Sequence, residues 1–245
     1  MHISGLQKLT LLDYPNHLAA ILFLDGCNFR CPFCHNSSLV LPEAHSIDEE
    51  DIYSEEEILQ FLKKRTGLLD GVCISGGEPT LYPELPAFIS RIKDLGYHIK
   101  LDTNGTNPEM LRVLCEKNLV NYVAMDIKAG RTNYAKVAGI RMHQDGSTVP
   151  ALLEQVMRSV GILKNSSIDY EFRTTAVQGL HTIADFEDIS KWLAGCKNYY
   201  LQSFRDCDSI LLPNHNFSAF SEEKMLQFLN IVKKTIPNAA LREMV

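Results

Sequence analysis

The chain has 245 residues, 45% hydrophobic and 22% charged, with a net charge of −6, the composition of a globular protein able to bury a sizeable core. That charge argues against a general nucleic-acid binder, and the longest apolar run, Leu18–Leu24, is too short to cross a bilayer. No basic segment leading into an apolar stretch opens the chain, so no secretory signal is read and the cytoplasm is the expected address.

Leu18–Leu24 is the first expected strand. Ser54 with Glu57 forms a capping box ahead of a helix carrying Ile58, Phe61 and Leu62. Gly71–Ser75 reads as the second strand. Pro83 suits a first helical turn, Leu85, Ile89, Ile92 and Leu95 give the apolar stripe, and Gly96 closes the helix in a left-handed conformation. The strand His98–Asp102 follows, then a helix opened by Asn107–Pro108 that carries Leu111 and Leu114. Asn121–Ile127 is a strand, and Leu152, Val156, Val160 and Leu163 form the stripe of the next helix. The strand Ile168–Thr175 precedes a helix capped by Thr182 and ending near Gly195. Asn198–Ser203 is the sixth strand, and Ser221 caps a last helix running to about Lys234.

Six alternating strand–helix units imply an α/β protein with a parallel sheet, and a partial (β/α)6 barrel is favoured over a doubly wound sheet. One domain over residues 1–245 is expected, with a core of about 18–205 and a C-terminal helix of about 221–235. In either topology the site belongs at the carboxyl ends of the strands. The acidic stretches Glu49–Asp51 and Glu55–Glu57 read as a solvated loop entering a helix N-terminus. Residues 130–149 form the longest irregular connection, readable as a lid, a partner-docking loop or a plain surface loop.

Chemistry concentrates in the run GCNFRCPFCHN. Cys27, Cys31 and Cys34, spaced C-x3-C-x2-C, can hold three corners of a cubane iron–sulfur cluster and leave the fourth iron open to a substrate or cofactor. Zinc bound by the three cysteines and His35 is the weighed alternative, but adjacent Cys34 and His35 make awkward tetrahedral partners. The other cysteines (Cys73, Cys115, Cys196 and Cys207) are scattered singly and read as reduced thiols, Cys73 in the core. Polar clusters end the expected strands: the cysteine loop after the first, Ser75–Pro79 after the second, Asp102–Gly105 after the third, Asp126 and Lys128, then Arg173 and Thr175, then Gln202 and Arg205. Turn chemistry explains five of them taken singly, but not all six at one edge. His17, His45, His98, His143, His181 and His215 show no partner pattern and read as structural or surface residues. Asp13-Tyr14-Pro15 reads as a turn.

The three-cysteine loop, Phe33 before its last cysteine, and the SGGEP loop resemble the radical S-adenosylmethionine superfamily. GLQKLTLLDYP, CHN, LDTNG, AMDIK, EFRTT and YLQSF further resemble the glycyl-radical-enzyme activating proteins. Together they look like the longer form of anaerobic ribonucleoside-triphosphate reductase activating protein, and they also resemble its relative, the pyruvate formate-lyase activating enzyme. The resemblance implies a [4Fe-4S] cluster on Cys27, Cys31 and Cys34, with S-adenosylmethionine on its open iron. It puts the methionine part against Gly76 and Gly77, the ammonium on Glu78, the carboxylate on Lys128 and Arg173, the adenine on Phe33, and adds Asp102 and Gln202 to the cofactor site. Asp102, Thr103 and Asp126 match positions that hold a monovalent cation (Na+ or K+), the alternative being helix caps or backbone bonds.

The implied reaction is reductive cleavage of S-adenosylmethionine to methionine and a 5′-deoxyadenosyl radical. A flavodoxin or ferredoxin would supply the electron, and the radical would take a hydrogen atom from a glycine of an anaerobic ribonucleotide reductase. No membrane or nucleic-acid partner is expected. Radical chemistry on a small molecule in modified-nucleoside or cofactor biosynthesis is one alternative. A noncatalytic iron–sulfur protein is the other, and Gly76–Gly77–Glu78 with Arg173 argue against it.

Overall fold

The structure is a computed structural model that describes residues 1–40, 52–140 and 148–242. Glu49–Asp51, His45, His143 and residues 141–147 of the long connection lie outside the described residues. The strands are β1 (Ile3–Thr10), β2 (Ala19–Leu24), β3 (Gly71–Gly76), β4 (His98–Thr103), β5 (Tyr122–Asp126), β6 (Asp169–Ala176), β7 (Tyr199–Ser203) and β8 (Ala239–Arg242). The helices are α1 (Ser37–Val40), α2 (Glu55–Lys63), α3 (Leu85–Asp94), α4 (Pro108–Glu116), α5 (Tyr134–Val137), α6 (Thr148–Asn165), α7 (Ile183–Trp192) and α8 (Glu222–Lys233).

Sheet neighbours follow chain order from β1 to β8. The pairs β2–β3, β3–β4, β6–β7 and β7–β8 are parallel. This is the α/β class with an unclosed, mainly parallel sheet, consistent with a partial barrel. All six expected strands are present, and two more flank them. β1 runs antiparallel to β2, with register shifts on either side of Gly5–Gln7. Its sequence ISGLQKLT alternates poorly and leaves Gln7, Lys8 and Leu9 exposed, so no apolar run announces it. β8 is only four residues long, too short for a periodic signal.

The chain divides into two compact units, residues 1–28, 38–124 and 166–169 in one, and 29–37, 125–165 and 170–245 in the other. In the first, Leu22, Val72, Ile74, Ile99 and Leu101 are buried in the strands, and α3 and α4 supply Phe88, Ile89, Ile92, Leu111 and Leu114. The Ser54–Glu57 capping box forms as expected, and Asn107 caps α4 through Met110 N–H. Pro83 precedes α3 instead of opening it: Glu84 holds the cap position and Pro86 sits in the first turn. Gly96 takes the expected positive φ, 93°.

Tyr14 gives the Asp13-Tyr14-Pro15 turn a packing role. It is buried with Ala19, Ile21 and Cys73, lies where a side chain on Gly71 would have to go, and stacks on His17 at 4.1 Å. In the second unit Phe172, Tyr199 and Leu201 of the strands are buried with Ile189, and Phe186 stacks on Phe228 at 4.0 Å between α7 and α8. Each such side chain contributes roughly 1.5–3 kcal/mol by leaving water.

Candidate active site

In the first unit the strand ends are joined by close backbone approach. Gly77 N–H donates to the Leu24 carbonyl at 2.7 Å and Glu78 N–H to the Gly26 carbonyl at 2.8 Å, which lays the glycine turn along the entry to the cysteine loop. A Cβ on Gly76 would stand 2.2 Å from the Leu24 carbonyl oxygen, and one on Gly77 2.0 Å from that of Gly26. Gly76 also has φ 117°. Both glycines are therefore required by the neighbouring chain segment before any ligand is considered.

Glu78 departs from its expected role. Its side chain is 0% exposed. One carboxylate oxygen accepts from Thr80 N–H at 3.1 Å, from Thr103 Oγ1 at 2.7 Å and from the Thr80 hydroxyl; the other accepts from Asn104 N–H at 2.6 Å. A carboxylate has about four acceptor sites, and here four protein donors reach it. Burial pushes its acidity weaker, and those same donors pull the other way. Glu78 is thus a strut that ties the glycine turn to the end of β4, not an acceptor waiting for an ammonium.

Asp102 accepts from Ser75 Oγ at 3.0 Å and pairs with Lys100, while Thr103 is committed to Glu78 and to Gly105 N–H. A cation at Asp102 would have to draw it away from Lys100. Cys27 follows Gly26, whose φ is 78°, and the Asn104 side-chain amide points at the Cys27 sulfur.

The second unit carries Cys31, Cys34 and Phe33, and here side-chain charge dominates. Asp126, at the end of β5, accepts from Lys128 Nζ and from Arg173 Nε, each at 2.9 Å, on different oxygens. Burial alone would weaken the acid, but the two cations outweigh it and hold Asp126 well below the usual carboxylate range. Burial likewise opposes charge on Lys128, and Asp126, Cys31 and Cys34 reverse it, so its ammonium is held more firmly than usual. Lys128 and Arg173, expected to face a ligand carboxylate, therefore already share one. A cation at Asp126 would compete with both.

Two clasps hold the loop. Ala138 carbonyl accepts from Arg30 N–H at 3.0 Å and from the Cys31 thiol at 3.6 Å, and a Cβ on Gly139 would fall 1.8 Å from the Arg30 carbonyl oxygen. On the other side Leu211 N–H donates to the Cys34 carbonyl and Leu212 N–H to that of Pro32, at 3.0 and 3.1 Å. His35 Nε2 lies 2.7 Å from the Arg205 carbonyl, which takes that nitrogen as a donor and away from zinc ligation. The described part of the long connection, 130–140, is anchored as well: Arg131 pairs with Asp188 and Gly130 N–H donates to Asp185.

Phe33 is buried, its ring edge-on to His181 at 6.4 Å. His181 accepts from Val177 N–H on Nδ1 and donates from Nε2 to the Lys128 carbonyl, a satisfied structural histidine as expected. Gln202 is half-buried in β7, in register with Thr175 and Arg242. None of the seven cysteines, all among the described residues, is joined in a disulfide.

Sequence reasoning did not single out Asn104 or Gly139, and in the 205–212 segment it named Arg205 and Cys207 but not the backbone donors Leu211 and Leu212. Asn104 was visible only as one polar residue of LDTNG; Gly139 and the 205–212 backbone donors carry no local signal, because their partners are distant in sequence.

The three reduced cysteines are soft donors of the kind an iron–sulfur cluster takes: in the second unit Cys31 and Cys34 lie near a firmly charged ammonium, and in the first close backbone packing shapes the entry to Cys27. A largely parallel α/β sheet with a three-cysteine loop leaving its first parallel strand defines the radical S-adenosylmethionine class of proteins. The sequence profile of the radical SAM superfamily matches residues 21–193.

A protein of Methanocaldococcus jannaschii, provisionally named a glycyl-radical enzyme activating enzyme, is 31% identical over 98% of this chain and 95% of its own length. The pyruvate formate-lyase-activating enzyme of Staphylococcus aureus is 35% identical over 42% of this chain and 41% of its own. Among solved structures, a radical SAM methyltransferase from Sphaerobacter thermophilus superposes with TM-score 0.68 at 17% identity, covering 94% of this chain and 67% of that one. At that identity the likeness concerns the fold. The chain belongs to the radical SAM superfamily and, within it, to the glycyl-radical-enzyme activating family.

Proposed function

We propose that this enzyme generates the glycyl radical of an anaerobic ribonucleoside-triphosphate reductase. The near full-length match to a relative named as a glycyl-radical enzyme activating enzyme carries the reading, and the motifs from GLQKLTLLDYP to YLQSF support the reductase as target. On this reading residues 1–245 work as one radical SAM domain in the cytoplasm, where a flavodoxin or ferredoxin is the electron donor. No helix among the described residues is long and apolar enough to cross a membrane.

Cys27, Cys31 and Cys34 would hold a [4Fe-4S] cluster, and Gly76, Gly77, Phe33, Asp102, Lys128, Arg173 and Gln202 would surround S-adenosylmethionine. Bound together, the two cofactors supply a one-electron cleavage that yields a 5′-deoxyadenosyl radical. The chain's own part is positional. Lys128 balances thiolate charge, and the Gly76–Gly77 turn exposes main-chain groups for the methionine part. Glu78 holds that turn rigid, so main-chain carbonyls and not its carboxylate are left to meet an ammonium.

The test is anaerobic reconstitution with iron, sulfide, reductant and S-adenosylmethionine, adding candidate glycyl-radical proteins one at a time. A glycyl doublet in the electron paramagnetic resonance spectrum with the reductase is the expected result. A doublet with a different protein, or cofactor cleavage stimulated only by a metabolite, overturns the assignment of the target.

A further inference from the structure

Asn104 stands just past the end of β4, 5% exposed, and its amide is locked. Its Oδ1 accepts from Thr106 N–H at 3.0 Å and from Thr106 Oγ1 at 2.7 Å. Thr106 Oγ1 in turn accepts from Asn28 Nδ2 at 2.8 Å, and Asn28 Oδ1 accepts from Asn104 Nδ2, also at 2.8 Å. Donors and acceptors alternate consistently around this ring, so the network settles which end of the amide is nitrogen. The Asn104 main-chain N–H is held separately by Glu78. The amide cannot turn over without losing its bonds to Thr106 and Asn28, and its nitrogen lies 3.9 Å from Cys27 Sγ. That is the outer reach of an N–H···S contact, and a thiolate accepts more strongly than a thiol.

We propose that Asn104 donates a hydrogen bond to the Cys27 thiolate and thereby raises the reduction potential of the cluster held there. The proposal rests on the reading that Cys27 is a cluster ligand. Hydrogen bonds to ligand sulfurs are one of the protein's levers on cluster potential. A fixed N–H dipole stabilises the sulfur more as its negative charge grows, so it favours the form that has gained an electron. Asn104 is a positioning residue by this account: it acts on the reacting centre through Cys27 and eases the entry of the electron from the donor.

The test compares reconstituted wild type with Asn104→Ala, a neutral change that deletes the donor. Iron and sulfide content come first, then the cluster's midpoint potential by spectroscopic titration. The expected result is full loading with a more negative potential. The reduced-to-oxidised ratio at a fixed potential should drop at least about tenfold, about 59 mV for one electron. A fully loaded variant at the wild-type potential overturns the proposal.

If Asn104→Ala does not hold its iron, Asn28→Asp decides, with asparagine side chains labelled in ¹⁵N. Pulsed electron paramagnetic resonance of its reduced cluster should show a ¹⁵N coupling with the Asn28 amide removed, and its absence is equally fatal. Failure of the wild type itself to take up an iron–sulfur cluster would instead defeat the underlying reading of Cys27.

Discussion

The two compact units reach the same kind of loop by opposite means. Around Cys27 the chain is shaped by backbone against backbone: Gly76 and Gly77 lie on Leu24 and Gly26, and the buried carboxylate of Glu78 is satisfied by N–H and hydroxyl donors. Around Cys31 and Cys34 the organising group is Asp126 between Lys128 and Arg173, with Asp126 still 32% exposed. The first arrangement should be intolerant of volume and indifferent to salt. The second should tolerate volume and respond to charge.

The largest effect would come from the proposed ligands themselves. Cys27→Ala and Cys31→Ala should each abolish iron–sulfide uptake and cofactor cleavage. Cys115→Ala should do neither, because that thiol is buried in α4 and pushed up to about 11 by burial and by Glu116, an inert setting. Cluster loss in Cys115→Ala would mean that the ligand set is wrong.

Gly77→Ala tests the backbone half. Its new methyl must displace the Gly26 carbonyl, and a loss of more than about 4 kcal/mol in urea unfolding is expected. Gly96→Ala is the control: a Cβ there would meet nothing within 4 Å, so only the strain of its φ of 93°, which Gly77 does not share, applies, roughly 1–2 kcal/mol. Equal losses in the two variants would remove close approach as the cause.

Asp126→Asn tests the charged half. With Asp126 only partly shielded, the expected loss is roughly 1–3 kcal/mol, below that of a fully buried pair. The gap to wild type should narrow in high salt, whereas that of Gly77→Ala should not. A salt-independent loss would erase the contrast between the halves.

His181 gives the smallest effect. Burial holds its pKa below the ordinary value of 6.5, against the pull of its bond to the Lys128 carbonyl. The unfolded chain then takes up the proton more readily than the folded one, so stability falls as pH drops below about 6.5 and levels off once the folded ring is also protonated. The slope is at most about 1.4 kcal/mol per pH unit. His181→Gln should flatten it in unfolding curves taken between pH 7.5 and 5.5, and an unchanged slope would assign the dependence elsewhere.

Much of this was legible in residue order. Apolar runs such as AAILFL and caps such as Ser54, Asn107 and Ser221 are local signals, and the structure has them where they were read. The placement of Asp102, Asp126 and Gln202 near strand ends followed from strand length alone. Partner choice was not legible. Nothing in LDTNG says that Asn104 turns to Cys27 while Thr103 turns to Glu78, and nothing in AMDIK says that Lys128 closes on Asp126 together with Arg173, 47 positions after that aspartate.

By itself, then, the sequence determined the cysteine triad, the alternation of strand and helix, and the family chemistry they imply, because each is written in short-range spacing and apolar period. Only the tertiary structure decided that Glu78 is a strut, that Gly76 and Gly77 make room for Leu24 and Gly26, and that Gly139 makes room for Arg30. Those are contacts between segments far apart along the chain, and their energies depend on burial and approach distance, which no local pattern encodes.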